Sequence, residues 1–208
     1  MNRLLEDRLD ALRTTLDQLS STLDENLQIL LLNLTCDPAA KKSTPKPIDE
    51  LARAVREKCL EFMVREHPMA HDLKFAMATL RVGQDYERMG EISLTLNKRV
   101  EFLRHTAFQD ICKDMTGVMA DVLNMNKLVQ NTWKHDHRAL IAPTQAQVAK
   151  LAEQVAAAIS AIQARVLDGI ALANGNAEAY VELVLACRHL KRVAGLMASV
   201  PDEMVSFS

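Results

Sequence analysis

Nine leucines, Leu5, Leu9, Leu12, Leu16, Leu19, Leu23, Leu27, Leu30 and Leu34, recur at intervals of three and four, with no glycine or proline between the first and the last. On a 3.6-residue helix those intervals draw one seam along the side of a long rod, whereas a strand repeats every second residue and could not collect them on one face. Such a rod must bury its seam, either against a second chain in a coiled coil or against later helices of its own chain. Matching apolar stripes recur downstream, so packing within the chain is the expected use.

Few chain breaks interrupt the remainder of the sequence, since the 208 residues include only 6 Gly and 6 Pro, and aromatic residues make up 4%. Summed propensity then favours helix over strand, and the chain reads as all-α. Residues 37–47 (DPAAKKSTPKP) form a proline-punctuated loop, with Thr44 placed to cap a second helix ahead of Pro45 and with Asp49 and Glu50 in its first turn, where the helix dipole favours carboxylates. That helix is expected to bury Ile48, Leu51, Val55, Cys59, Phe62 and Met63 and to stop at His67, before Pro68. A third helix from about Ala70 to His105 carries two apolar stripes, Leu73, Met77 and Leu80 on one side and Val82, Tyr86, Met89, Leu96, Val100 and Leu103 on the other. The plan then repeats. A fourth helix runs from about Thr106 to Trp133, residues 135–143 read as a loop, and a fifth helix carries Val148, Leu151, Val155, Ile159, Ile162, Val166 and Ile170. A turn at Asn174-Gly175-Asn176 leads to a sixth helix that fades by Pro201. The expected architecture is two tandem three-helix bundles, residues 1–105 and 106–208, with the turns at Pro68 and Gly175 in equivalent places.

Net charge of -2 gives no global attraction to nucleic acid or to an acidic membrane. Cys36, Cys59, Cys112 and Cys187 are scattered without a CxxC pair, which fits buried thiols in a reducing compartment. The acidic residues Glu6, Asp7 and Asp10 occupy the stretch where a signal peptide needs apolar residues, and no segment approaches the ~20 apolar residues of a membrane span. A cytoplasmic location is the expectation.

The third helix holds the main anomaly. Continuing the stripe of Leu73, Met77 and Leu80 places Gln84, Glu87 and Glu91 on the same face before Leu94 resumes the apolar pattern. Two carboxylates four residues apart project together and repel unless a cation lies between them. One candidate is Arg56, which an antiparallel second helix would bring level with Glu87, and its guanidinium would form a structural ion pair. The other is a bound metal with Asp49 and Glu50 as helpers, although two carboxylates on one helix supply few ligands. His135 and His137, two residues apart, could bind a divalent ion but read first as a solvated loop, and His67 and His71 flank the proline turn. Glu-x-x-His pairs, a Walker A loop and a GxGxxG are absent from the sequence, which leaves no recognisable enzyme motif. The basic cluster Arg188, Lys191 and Arg192 could meet an acidic partner or a phosphate.

The run from His67 to Glu91, HPMAHDLKFAMATLRVGQDYERMGE, resembles the signature of the PhoU family of phosphate-uptake regulators. There, a proline-containing turn and a short Asp-Leu-Arg/Lys segment lead to Glu-Arg-Ile-Gly-Asp on the third helix. Glu87, Arg88, Met89, Gly90 and Glu91 occupy that last motif with conservative changes, Cys59 lies where similar members often have a cysteine, and Cys187 to Arg192 resembles part of the second repeat. The resemblance implies tandem three-helix repeats, a homodimer, and a non-enzymatic regulator of phosphate uptake and phosphate-starvation signalling. Its partners would be the ATPase subunit of the phosphate ABC transporter and a phosphate-sensing histidine kinase, at a position peripheral to the membrane at most. Some members carry iron or zinc clusters on acidic motifs. Here the second-helix motif falls on Ala52 and Arg56, and the second-repeat motif becomes Lys191 to Gly195, so three of four acidic motifs are missing and no cofactor is expected. The rival readings are a metal-binding helical bundle, enzymatic or not, and a coiled-coil scaffold.

Overall fold

The leucine seam is interior in the computed structural model, which describes residues 3–35, 44–103, 108–134, 138–172 and 177–206. Six helices run in order: α1 (Arg3–Leu34), α2 (Asp49–Arg65), α3 (Ala70–Leu103), α4 (Gln109–Lys134), α5 (Arg138–Leu172) and α6 (Ala177–Ser206). No strand occurs among the described residues. From Leu12 to Leu34 every seam leucine is at most 1% exposed, while Leu5 and Leu9 pack partly buried at the rim. Because α1 touches α2, α3 and α4, its seam is consumed within the chain and offers no surface to a second coil.

Within the first half α2 packs on α1 and α3, and within the second half α5 packs on α4 and α6. The halves meet where α1 lies against α4 and α3 against α6, so four helices surround the centre and α2 and α5 flank it. Pairs of contacts give the directions. Ser20 with Tyr86 and Asn33 with Asn97 set α1 parallel to α3, whereas Arg81 with Glu203 and Arg99 with Glu182 set α3 antiparallel to α6. At the centre, the Tyr86 hydroxyl donates to Asn126 Oδ1 at 2.8 Å, Ser20 lies within 3.5 Å of the same oxygen, and the Asn126 amide reaches Asp24 Oδ1 at 3.3 Å. These buried polar groups span α1, α3 and α4, and partners for them fix one arrangement of the three helices. Burial is also the largest cause that raises the pKa of Tyr86, whose hydroxyl stays protonated.

Two glycines let α2 approach α3 closely. A Cβ on Gly90 would lie 2.3 Å from Ile48 Cδ1, and one on Gly83 would lie 2.9 Å from Val55 Cγ1. Glycine at these two positions, seven residues apart, gives the Ile48 and Val55 side chains room against the α3 backbone. The chain enters α2 through Asn26, whose amide nitrogen donates to the Lys46 carbonyl at 2.8 Å and whose oxygen accepts from the Lys46 N–H at 2.7 Å.

Several expectations need correction. Thr44 does not cap α2, because residues 44–48 form no regular secondary structure and the helix starts at Asp49 behind Ile48, which makes no side-chain cap. Ile48 is instead held by its seat on Gly90. The helix ends at Arg65, two residues before the expected stop, and His67 takes a left-handed φ of 45° ahead of Pro68. Pro143 does not end a loop but stands inside α5, which begins at Arg138, near enough to the helix start that little of the hydrogen-bond ladder is lost. Residues 135–137 and 173–176, with His135, His137 and the Gly175 turn, lie outside the described residues. Pro201 does not end α6 either: the helix reaches Ser206, held beyond the proline by buried Met204 and by bonds from Gln145 to Asp202 and from Arg81 to Glu203.

Candidate functional site

The stripe that made Glu87 and Glu91 anomalous is not a core stripe. Leu73 is 36% and Met77 38% exposed, Gln84 is exposed, and the interior face of α3 is the other one, through Val82, Tyr86, Met89, Leu96, Val100 and Leu103. Glu87 and Glu91 therefore point to the outside, where carboxylates are ordinary. The expectation of two apolar stripes failed because spacing identifies a common face but not its neighbour.

Arg56 Nη2 donates to Glu87 Oε2 at 2.8 Å across the α2–α3 groove, an alignment that results from the seating of Val55 on Gly83 and Ile48 on Gly90. Arg56, Gln84, Glu87, Arg88 and Glu91 line an open polar cleft there. Asp49 and Glu50 are exposed in the first turn of α2 and do not line it. Ala52, the other position of the second-helix motif, is buried. Arg88 turns toward the α3–α6 seam, 3.7 Å from Asp85. Burial is the largest influence on the Asp85 carboxyl and raises its pKa, against the opposing effects of Arg88 and the Ser199 hydroxyl.

Iron or zinc at this cleft would need several oxygen, nitrogen or thiolate donors converging on one point. Among the described residues no three His, Cys, Asp or Glu side chains converge in that way, and the nearest cation to Glu87 is a guanidinium that cannot lose its proton. The described side chains of this cleft do not converge as a multinuclear metal centre requires. The described thiols supply no ligands either: Cys59, Cys112 and Cys187 are buried and separate, and burial pushes the first up to about 12 and the last to about 11.

Because Arg56 is 42% and Glu87 25% exposed at the side chain, their pair is screened by water. Arg56→Ala is expected to cost only about 0.2 to 1 kcal/mol, read by urea denaturation. Protein purified without chelators is expected to carry well under one iron or zinc per chain by elemental analysis. A full equivalent of metal that is lost in a Glu87→Gln, Glu91→Gln double variant would reverse the assignment of Arg56 as the counter-cation.

On α6, Arg188, Lys191 and Arg192 are all exposed, and His189 between them is partly buried. Burial, then the charges of Arg99, Arg192 and Arg188, lowers the pKa of His189, with Glu182 opposing. Arg99 reaches Glu182 at 2.5 Å across the helix seam. Sequence reading found the α6 cations but missed Arg99 and His189. Nothing in the linear pattern places residue 99 beside residue 189.

The chain is similar to known proteins in segment, in sequence and in fold. The family model described as the PhoU domain matches residues 46–100, the stretch from just before α2 to near the end of α3. The phosphate-specific transport system accessory protein PhoU homolog 1 of Thermotoga maritima is 23% identical over 159 residues, covering 76% of this chain and 67% of that protein. The crystal structure of PhoU from Pseudomonas aeruginosa superposes with a TM-score of 0.81 at 13% identity, over 97% of each chain. At that identity the superposition speaks to the fold, and it extends the likeness from the matched segment to all six helices.

Proposed function

We propose that the chain is a PhoU-family protein and a non-enzymatic accessory protein of a phosphate-specific transport system. The observation that carries this is the PhoU-domain match over residues 46–100, which includes the α2–α3 groove and the motif from Glu87 to Glu91. In this reading the protein restrains phosphate uptake and keeps phosphate-starvation genes off by contacting the ATPase subunit of the transporter, its sensor kinase, or both. It acts from the cytoplasm as a homodimer. No helix among the described residues is long and apolar enough to cross a membrane, which agrees with a peripheral contact. Residues 1–105 and 106–208 are read as two repeats of one unit, supported by the matched packing of α1, α2 and α3 with that of α4, α5 and α6. The coiled-coil scaffold loses its proposed surface, since the seam of α1 is interior.

Deleting the gene is expected to derepress a phosphate-starvation reporter in phosphate-replete medium and to raise phosphate uptake, measured with labelled phosphate. If uptake and reporter both match the parent strain, and complementation changes neither, the reading is wrong.

A further inference from the structure

Four cations gather along one helix seam of a chain whose net charge is -2. Lys98 and Arg99 on α3 and Arg188 and Arg192 on α6 border the same seam, brought together by the antiparallel pairing of Arg99 with Glu182, and Lys191 is exposed beside them on α6. Among the described residues, Lys98, Arg188, Lys191 and Arg192 make no ion pair, and Glu182, the carboxylate beside them, is already engaged by Arg99. The Nε of Arg99 is buried without a hydrogen-bond partner. Thr95, Lys98, Arg99, Phe102 and Glu182 line an open cleft there, and two exposed apolar groups belong to this region, Phe102 in the lining and Val181, the chain neighbour of Glu182 on α6.

We propose that this face, formed by the outer side of α6 and the adjoining edge of α3, docks an acidic segment of a partner protein. The spacing of the cations selects that occupant. Arg188 and Arg192 are one helical turn apart, ~6 Å along α6, and Lys98 and Arg99 lie across the seam, so the charges form a strip. A single phosphate is held by donors that converge on one point, whereas a strip matches carboxylates repeated along a chain. Phe102 and Val181 give the same segment an apolar foothold. Nucleic acid is the poorer match, because the overall charge is negative and Phe102 is the one aromatic ring lining the cleft. Burial first, and then the cations around it, lower the pKa of His189, and an incoming carboxylate would offset the crowded positive charge. The inference deepens the accessory role and rests on it in taking the occupant to be a protein. The deletion strain tests the role and a peptide titration tests the face, so either can fail alone.

The titration uses the full chain and a fluorescent helical peptide of about 18 residues, with glutamates at three- and four-residue spacing beside a leucine stripe. Its control has every glutamate replaced by glutamine. The acidic peptide is expected to bind at least about tenfold more tightly than the control at low salt, and to weaken as salt screens the charges. Arg188→Glu with Arg192→Glu should lose about tenfold or more in affinity with an unchanged thermal melt, whereas Arg53→Glu on α2 should bind as the parent does. The proposal is overturned if the parent chain does not bind the peptide, if the glutamine control binds equally, or if the α6 double variant binds as well as the parent. It is also overturned if millimolar inorganic phosphate displaces the peptide, or if phosphatidylserine vesicles but not the peptide lose binding in that variant.

Discussion

Replacing Trp133 with alanine is expected to destabilise the protein by about 3 to 5 kcal/mol, whereas Trp133→Phe should cost less than about 1.5 kcal/mol. Trp133 is 1% exposed near the end of α4, and its ring meets Tyr86 of α3 edge to face at 6.1 Å between centroids. Truncation removes the largest buried side chain in the described structure and opens a cavity at the joint between the two halves, where helices from both sides limit relaxation. Phenylalanine keeps most of the volume and the aromatic edge contact. It also deletes the indole N–H, which is buried without an acceptor and contributes nothing that phenylalanine would lose. For a chain of this length the alanine variant should melt about 6 to 20 °C lower. Calorimetry and urea titration would read both variants, and a cost below about 1.5 kcal/mol for Trp133→Ala would show that the halves are not locked through this contact.

Adding one methyl group at Gly90 should also destabilise the protein, because its new Cβ would lie 2.3 Å from Ile48 Cδ1 and 2.4 Å from Cγ1. Ile48 is 1% exposed and has little room to turn aside. Overpacking costs about 1 to 3 kcal/mol, and the better helix propensity of alanine returns up to about 1 kcal/mol, so Gly90→Ala should lose about 1 to 2 kcal/mol net. Ile48→Ala alone should cost about 2 to 5 kcal/mol through its cavity. The double variant should be more stable than the sum predicts by at least about 1 kcal/mol, since the methyl at position 90 enters the space that isoleucine left. Strict additivity in that cycle would mean that α2 is not seated on α3 through this pair. The outcome also bears on the cleft, because the same seating aligns Arg56 with Glu87.

Much of the fold was legible in the sequence, and particular residues show why. The leucines of the first helix, the valine and isoleucine stripe of the fifth, and the scarcity of glycine and proline each act through local geometry that any helix of this composition shares, so periodicity sufficed for helix number and order. The likeness to the PhoU domain was legible too, because the run from His67 to Glu91 is contiguous in the chain. Termini were less legible at Thr44, Pro143 and Pro201. A capping residue or a proline reports only a local preference worth a few kcal/mol, and tertiary anchors such as Ile48 on Gly90 or the buried Met204 beyond Pro201 act against it.

What only the tertiary structure decided is which face looks inward and which distant residues become neighbours. The spacing of Leu73, Met77, Leu80, Glu87 and Glu91 correctly places them on one side of α3, but that side faces solvent because α1, α6 and α2 cover the others. The carboxylates ceased to be anomalous once that was known. In the same way, α6 announces Arg188, Lys191 and Arg192 in its own sequence, yet the joining of Arg188 and Arg192 with Arg99 around His189 depends on the antiparallel register of α3 and α6. Periodicity is a property of one helix and survives in its sequence. Register and burial are properties of a pair of helices, set by how glycines, side-chain volumes and buried polar groups fit across the gap between them.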